Sequence, residues 1–133
     1  LMDSQGIKRG IAGKARQKLG YLGESLAVER LISLGYTLLQ RNYRCQYGEI
    51  DLIAEQGEDL VFVEVKLRRG TDYGLPEEAI TRRKWQRIER AATYYLGSHV
   101  CDERSWRIDV VAVQLSKSGR LTEIRVYDHA TIE

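Results

Sequence analysis

Cysteine is scarce: Cys45 and Cys101 are single and far apart, with no CxxC spacing and no histidine cluster beside either. That argues against a zinc site or a disulfide scaffold and fits a reducing, cytoplasmic setting. No apolar run approaches the roughly 18 residues needed to cross a bilayer, and the N-terminal stretch is not that of a secretion signal. A membrane partner is therefore not expected. Proline occurs once, at Pro76, and repeats and low-complexity tracts are missing, so nothing marks a linker between domains. The length suits one sizeable core. We read residues 13–133 as a single domain, preceded by a flexible basic N-terminus over residues 1–12.

Neither sign of charge dominates, and a net charge of +2 identifies no partner. Its distribution is more informative. Lys8, Arg9, Lys14, Arg16 and Lys18 precede Tyr21 against one acid, Asp3. A second basic group comprises Lys66, Arg68, Arg69, Arg82, Arg83, Lys84, Arg87 and Arg90. Local clusters of this kind attract polyanions even when total charge is modest; a solvated surface has the same composition.

Leu19, Leu22, Leu26, Ala27, Leu31 and Leu34 fall on one side of a helix that Gly35 ends. Residues 37–43 read as a strand, and residues 49–55 and 60–67 as a hairpin around Gly57. A loop with Gly70, Gly74 and Pro76 leads into a long helix ending near Gly97. Residues 105–115 and 121–127 form a second hairpin, turning through residues 116–120. The order α-β-β-β-α-β-β predicts an α/β domain with a mixed central sheet flanked by helices.

The first hairpin carries the chemistry. A two-residue turn at Gly57-Glu58, with positive φ at Gly57, makes Gln56 face Asp59 and brings Asp51 opposite Glu64 and Glu49 opposite Lys66. Alternation puts Ile50, Leu52, Ala54, Val61, Val63 and Val65 on one face, the core, and Glu49, Asp51, Ile53, Phe62, Glu64 and Lys66 on the other. Carboxylates directly across a strand pair sit about 5 Å apart and repel. A divalent cation between them reverses the sign of that interaction, and Mg²⁺ takes hard oxygen ligands. Lys66, two residues after Glu64 on the same face, reaches the same volume. Such a site can engage a phosphodiester, acidify a water and stabilise developing charge. A solvent-facing polar side of the hairpin is the competing reading, which Ile53 and Phe62 weaken.

Other candidates lie on the helices. Glu24 sits at the margin of the first apolar stripe, near Leu31, and points either toward the sheet or simply along a helix terminus that favours acids. The second helix buries Trp85, Ile88, Ala92, Tyr95 and Leu96, while Arg83, Arg87 and Arg90 are expected to point away. Lys84 falls with Ile88, Ala91 and Tyr95, so it either snorkels to solvent or serves the site. Arg68, Arg83, Lys84 and Arg87 are candidate phosphate contacts. Asp109 is a strand acid expected to pair with an arginine, and His99 and His129 read as surface residues.

The segments Gly23-Glu24, Gly35-Tyr36, Arg41-Asn42-Tyr43, Gly48-Glu49-Ile50-Asp51-Leu52-Ile53-Ala54 and Val61-Phe62-Val63-Glu64-Val65-Lys66 closely resemble the YraN-like family of predicted endonucleases. The resemblance continues through Ala79-Ile80, Lys84, Ile88 and Ala91-Ala92 to Arg107-Ile108-Asp109-Val110-Val111, covering roughly residues 20–113. It implies a restriction-endonuclease-like fold of the PD-(D/E)xK superfamily, similar to archaeal Holliday-junction resolvases. Under it, Asp51 and Glu64 are metal ligands, Lys66 orients water or stabilises charge, and Glu24 is an auxiliary carboxylate. Ile50 stands where the superfamily's motif has proline. The function expected is a Mg²⁺- or Mn²⁺-dependent endonuclease acting on DNA, with branched or damaged DNA among the candidate substrates; the alternative is a nucleic-acid-binding protein that keeps the fold without chemistry. A junction resolvase would need two symmetry-related sites, so a homodimer is compatible with the reading.

Overall fold

The computed structural model describes residues 4–70, 80–99 and 104–128, with side chains from Lys18 onward. Gly74, Pro76, Ala79, Cys101 and His129 lie outside them. The element order is α1 (Ser4–Ser33), β1 (Thr37–Cys45), β2 (Gly48–Gln56), β3 (Asp59–Arg69), α2 (Arg82–Ser98), β4 (Trp106–Leu115) and β5 (Leu121–Tyr127). The helix α1 takes in residues 4–12, where a loose segment was expected. No proline interrupts it, and extending a helix that already exists gains one backbone bond per residue ordered. Among the described residues, no helix is long and apolar enough to cross a membrane.

The five strands form one mixed sheet in the order β1-β2-β3-β4-β5. Three neighbour pairs are antiparallel, and β3–β4 is parallel. A parallel neighbour cannot be reached by a tight turn, so the chain between β3 and β4 must cross over, and it does so through α2. Apolar residues on both sides of the strands demand a helix on each face. Leu52, Ala54, Val61, Val63, Val111 and Val113 pack with Ala27 and Leu31 of α1. Ile53, Phe62, Ile108 and Val110 pack with Ile88, Ala91, Ala92 and Tyr95 of α2. Leu22 and Leu34, expected in the α1 core stripe, are exposed instead. Leu34 lies beyond the last helical turn, and Leu22 falls far round the helix from Ala27 and Leu31, which are buried against the sheet.

The turn at Gly57 has φ 59°, and the β2–β3 register runs from Gln56↔Asp59 to Leu52↔Val63, as the two-residue turn requires. Past that point the alternation breaks. Ile50, expected beside Leu52 on the α1 face, packs in the α2 cluster with Tyr43, its partner across β1–β2. The paired β2–β3 ladder has ended by then, so the pleat of β3 no longer fixes the side-chain direction of Ile50.

A buried polar knot ties the connection between α1 and β1 to the sheet. Asp109 is fully buried, accepts from Tyr36 Oη at 2.7 Å and pairs with Arg107 Nε at 3.0 Å. Arg107 also bonds Asp59 and Gln56. Burial and then the bond to Asp109 push the Tyr36 phenol up to about 12, keeping it a donor. Burial opposes the charge of Arg107, but hydrogen bonds to Asp109, Tyr36 and Asp59 outweigh it and raise its pKa. Asp109→Ala, which takes from Arg107 its fully buried carboxylate and from the Tyr36 hydroxyl its acceptor while Asp59 still pairs the guanidinium, is expected to destabilise by ~2–4 kcal/mol, and Tyr36→Phe by ~1–2 kcal/mol. Urea midpoints of the two variants measure the difference; equal, small losses would contradict the knot's role as a clamp.

Candidate active site

The end of the β2–β3 ladder is where the site forms. Beyond Leu52↔Val63, the Asp51 carboxylate accepts from the backbone N–H of Val65 at 2.8 Å. A side chain thus stands where a strand carbonyl would otherwise serve. This fixes the Asp51 carboxylate beside β3, next to Glu64, which is only 6% exposed. From the other side of the cleft, Lys84 of α2 pairs with Glu64 Oε1. Thr81 caps α2 by accepting from Lys84 N, so the first turn that carries Lys84 is anchored. The lysine that could have run out to solvent turns to the carboxylates.

Glu49, Asp51, Glu64, Lys84, Arg87 and Ile88 line a cleft of about 240 Å³. That is below the ~300–1,000 Å³ of pockets for drug-sized ligands, and suits a hydrated ion with one phosphate group better than a bulky cofactor. Burial first, and then repulsion from Glu64, push the Asp51 carboxyl up to about 7, with a smaller push from Glu24. The hydrogen bond from Val65 and the charge of Lys84 work the other way.

Glu24 comes from α1. Gly23 lets that helix approach β3, since a Cβ there would meet Leu67 Cδ1 at 3.2 Å. Glu24 accepts from Asn42 Nδ2 at 3.2 Å and lies 3.6 Å from Arg41, whose guanidinium also stacks over Tyr21. Asn42 adopts φ 53°, a left-handed conformation in which asparagine is enriched. These two β1 residues hold Glu24 near enough to be felt at Asp51, without making it part of the cleft lining.

Lys66 lies one pleat beyond Glu64 on β3, paired with Ala112 and partly buried. Arg68 follows one pleat further, also partly buried, and Arg83 is exposed on α2; neither lines the cleft. Arg87, expected to point away from the sheet, lines the cleft mouth, because the β1–β2 turn approaches α2 so closely that a Cβ on Gly48 would sit 3.9 Å from Arg87 Cβ. Glu49 is a lining residue that periodicity placed on the right face but did not single out. The roles of Arg41 and Asn42 in holding Glu24 have no periodic signature at all.

The donor set fits a hard divalent cation. Asp51 and Glu64 offer oxygens from a partly desolvated, mutually repelling pair. Among the described residues no third His, Cys, Asp or Glu joins them as a cluster, so water and phosphate oxygens would complete the shell, the usual arrangement for Mg²⁺.

The fold and cleft together define a small α/β domain of nuclease-like architecture with an acidic, lysine-braced site. The chain belongs to the YraN-like family: residues 23–113 match the model described as "Uncharacterised protein family UPF0102". A UPF0102 protein of Moorella thermoacetica is 46% identical over 111 residues, covering 84% of this chain and 92% of the relative. One from Caldicellulosiruptor saccharolyticus is 40% identical over 115 residues, covering 86% of this chain and 98% of the relative. A third, from Syntrophus aciditrophicus, is 45% identical over 107 residues, with 80% and 84% covered. The matched span contains Glu24, Asp51, Glu64, Lys66 and Lys84.

A raised carboxyl has a definite consequence for stability. The folded chain holds the Asp51 proton more tightly than the unfolded chain, whose aspartates titrate near ~3.9. The contribution is therefore greatest below about pH 4, and is lost as pH climbs to about 7. Asp51→Asn removes that loss. In EDTA, its melting temperature relative to the native chain is expected to rise between pH 5 and pH 8, by roughly 4 °C for each kcal/mol of repulsion relieved. A difference that stays flat over this range would show that Asp51 is ionised throughout.

Proposed function

We propose that the chain is a Mg²⁺- or Mn²⁺-dependent endonuclease that hydrolyses phosphodiester bonds in DNA. The observation that carries this reading is the opposed, half-desolvated pair Asp51 and Glu64 in a cleft sized for an ion and a phosphate. A structure selected for stability alone has little reason to keep a second carboxylate beside Asp51 in that cleft, because it disfavours the charged form of Asp51. Asp51 and Glu64 would hold the ion, which when bound would acidify water and neutralise charge on the phosphate.

The chain's own residues do the positioning. The N–H of Val65 fixes the Asp51 carboxylate, and Lys84 fixes that of Glu64, so both are pre-aligned before anything binds. Lys66, one pleat beyond Glu64 on β3 and outside the cleft lining, would have to turn toward the bound phosphate to stabilise the charge that builds there. Arg87 at the cleft mouth offers a guanidinium to a neighbouring phosphate. Glu24, braced by Arg41 and Asn42, adds negative potential that favours a cation at Asp51.

A second reading has its own observation. Arg83, Arg87 and Arg90 are exposed on α2, and a binding protein without chemistry would need only these. The two separate on a panel of labelled duplex, four-way junction, flap and single strand with Mg²⁺, Mn²⁺ or EDTA. The nuclease reading predicts metal-dependent cutting, with Asp51→Asn and Lys66→Ala each lowering the rate at least ~100-fold. Binding without cutting, unchanged in Asp51→Asn and steeply salt-dependent, would favour the binding protein.

A further inference from the structure

Beyond the cleft, α2 carries a second pattern on its outer edge. Arg83, Arg87, Arg90 and Tyr94 are spaced 4, 3 and 4 residues apart, so they form one straight stripe along the helix. All four are exposed. The stripe lies beside the buried row of Ile88, Ala91 and Tyr95 and borders the cleft at Arg87. None of the three arginines forms an ion pair with a described carboxylate. At its far end Tyr94 meets Tyr47 of the β1–β2 turn, with ring centroids 5.6 Å apart and planes tilted by 60°. Both rings are 44% exposed, an uncommon state for two large aromatic side chains in contact, and the tilt keeps them from closing each other's faces.

Guanidinium groups in a row, ending in open aromatic rings, match the composition of surfaces that track one nucleic-acid strand and stack its bases. Duplex DNA keeps its base faces stacked inside and presents phosphates, sugars and groove edges; only an unpaired or terminal base can offer a face to Tyr94. From Arg83 to Tyr94 the helix rises about 16 Å, a path long enough for a few nucleotides of a single strand. The acidic cleft lies against the Arg83–Arg87 half of that path.

We propose that the Arg83–Arg87–Arg90–Tyr94 stripe with Tyr47 is a single-strand track, and that the substrate is DNA carrying an unpaired segment next to the scissile phosphate. The arginines hold consecutive phosphates, and Tyr94 with Tyr47 stacks an unpaired base. This rests on the cleft being a nucleic-acid site and narrows its substrate.

Binding in EDTA tests it without any need for turnover. Fluorescence anisotropy of the full chain is compared on a blunt duplex, the same duplex with a 3′ or 5′ single-stranded tail, and an oligo-dT strand. Tyr94→Ala is expected to weaken binding to the tailed duplex and to oligo-dT by ~10-fold or more while leaving the blunt duplex within twofold, and Tyr94→Phe to retain the native preference. Arg90→Gln should weaken all substrates alike and reduce the salt slope by about one. A Tyr94→Ala chain that melts normally and binds every substrate as the native chain does overturns the track. So does an equal loss on blunt and tailed DNA. The outcome is separate from that of the nuclease reading: tail preference dependent on Tyr94 without cleavage defeats only the chemistry, and Asp51-dependent cleavage with no Tyr94 effect defeats only the track.

Discussion

Two like charges held together against their repulsion organise this molecule. Asp51 and Glu64 meet where the β2–β3 ladder stops, and the Asp51 side chain takes the N–H of Val65 that strand pairing would otherwise satisfy. Everything nearby relates to that break. Lys84 comes down from α2 to neutralise one carboxylate. Glu24, set by Arg41 and Asn42, deepens the negative potential at the other. The Asp109–Arg107–Tyr36 knot anchors the opposite end of β2–β3 to the end of α1, so the strands open at one end while staying clamped at the other.

Much of this was legible because strands and helices impose fixed periods. The two-residue turn at Gly57 set the β2–β3 register as far as Leu52↔Val63; the expected Asp51–Glu64 pair lies just past it, where the two residues line one cleft without being paired strand to strand. Helical spacing placed Lys84 with Ile88 and Tyr95, which explains why it reaches the sheet. Periodicity failed where a long-range contact overrides it. Ile50 breaks the alternation because β2 leaves β3 at that point and follows β1. Arg87 belongs to an outward stripe by spacing, yet the approach of Gly48 brings the β1–β2 turn alongside it. The clamp on Glu24 comes from residues 17 and 18 positions away, and no local pattern announces it.

Family membership and fold fix the scaffold on which any activity rests; the chemistry is argued from the site. The cleft combines features that pull against stability: a carboxyl raised to about 7, a buried glutamate, and a lysine drawn inward to compensate. Such costs are typical of sites kept for what they bind. On the proposed reading, the basic edge of α2 would supply what the acidic cleft lacks, an attraction for phosphates to hold a polyanion beside carboxylates which alone would repel it.

The claim on which all of this depends is that Asp51 and Glu64 form a divalent-cation site. Mn²⁺ binding followed by electron paramagnetic resonance tests it most directly, since free Mn²⁺ is counted without any substrate or turnover. The account predicts saturable binding to the native chain at pH 8, weakening at pH 5 as Asp51 takes up its proton, and abolished in Asp51→Asn. Binding of equal strength in the native chain and the Asn variant, at either pH, would contradict it.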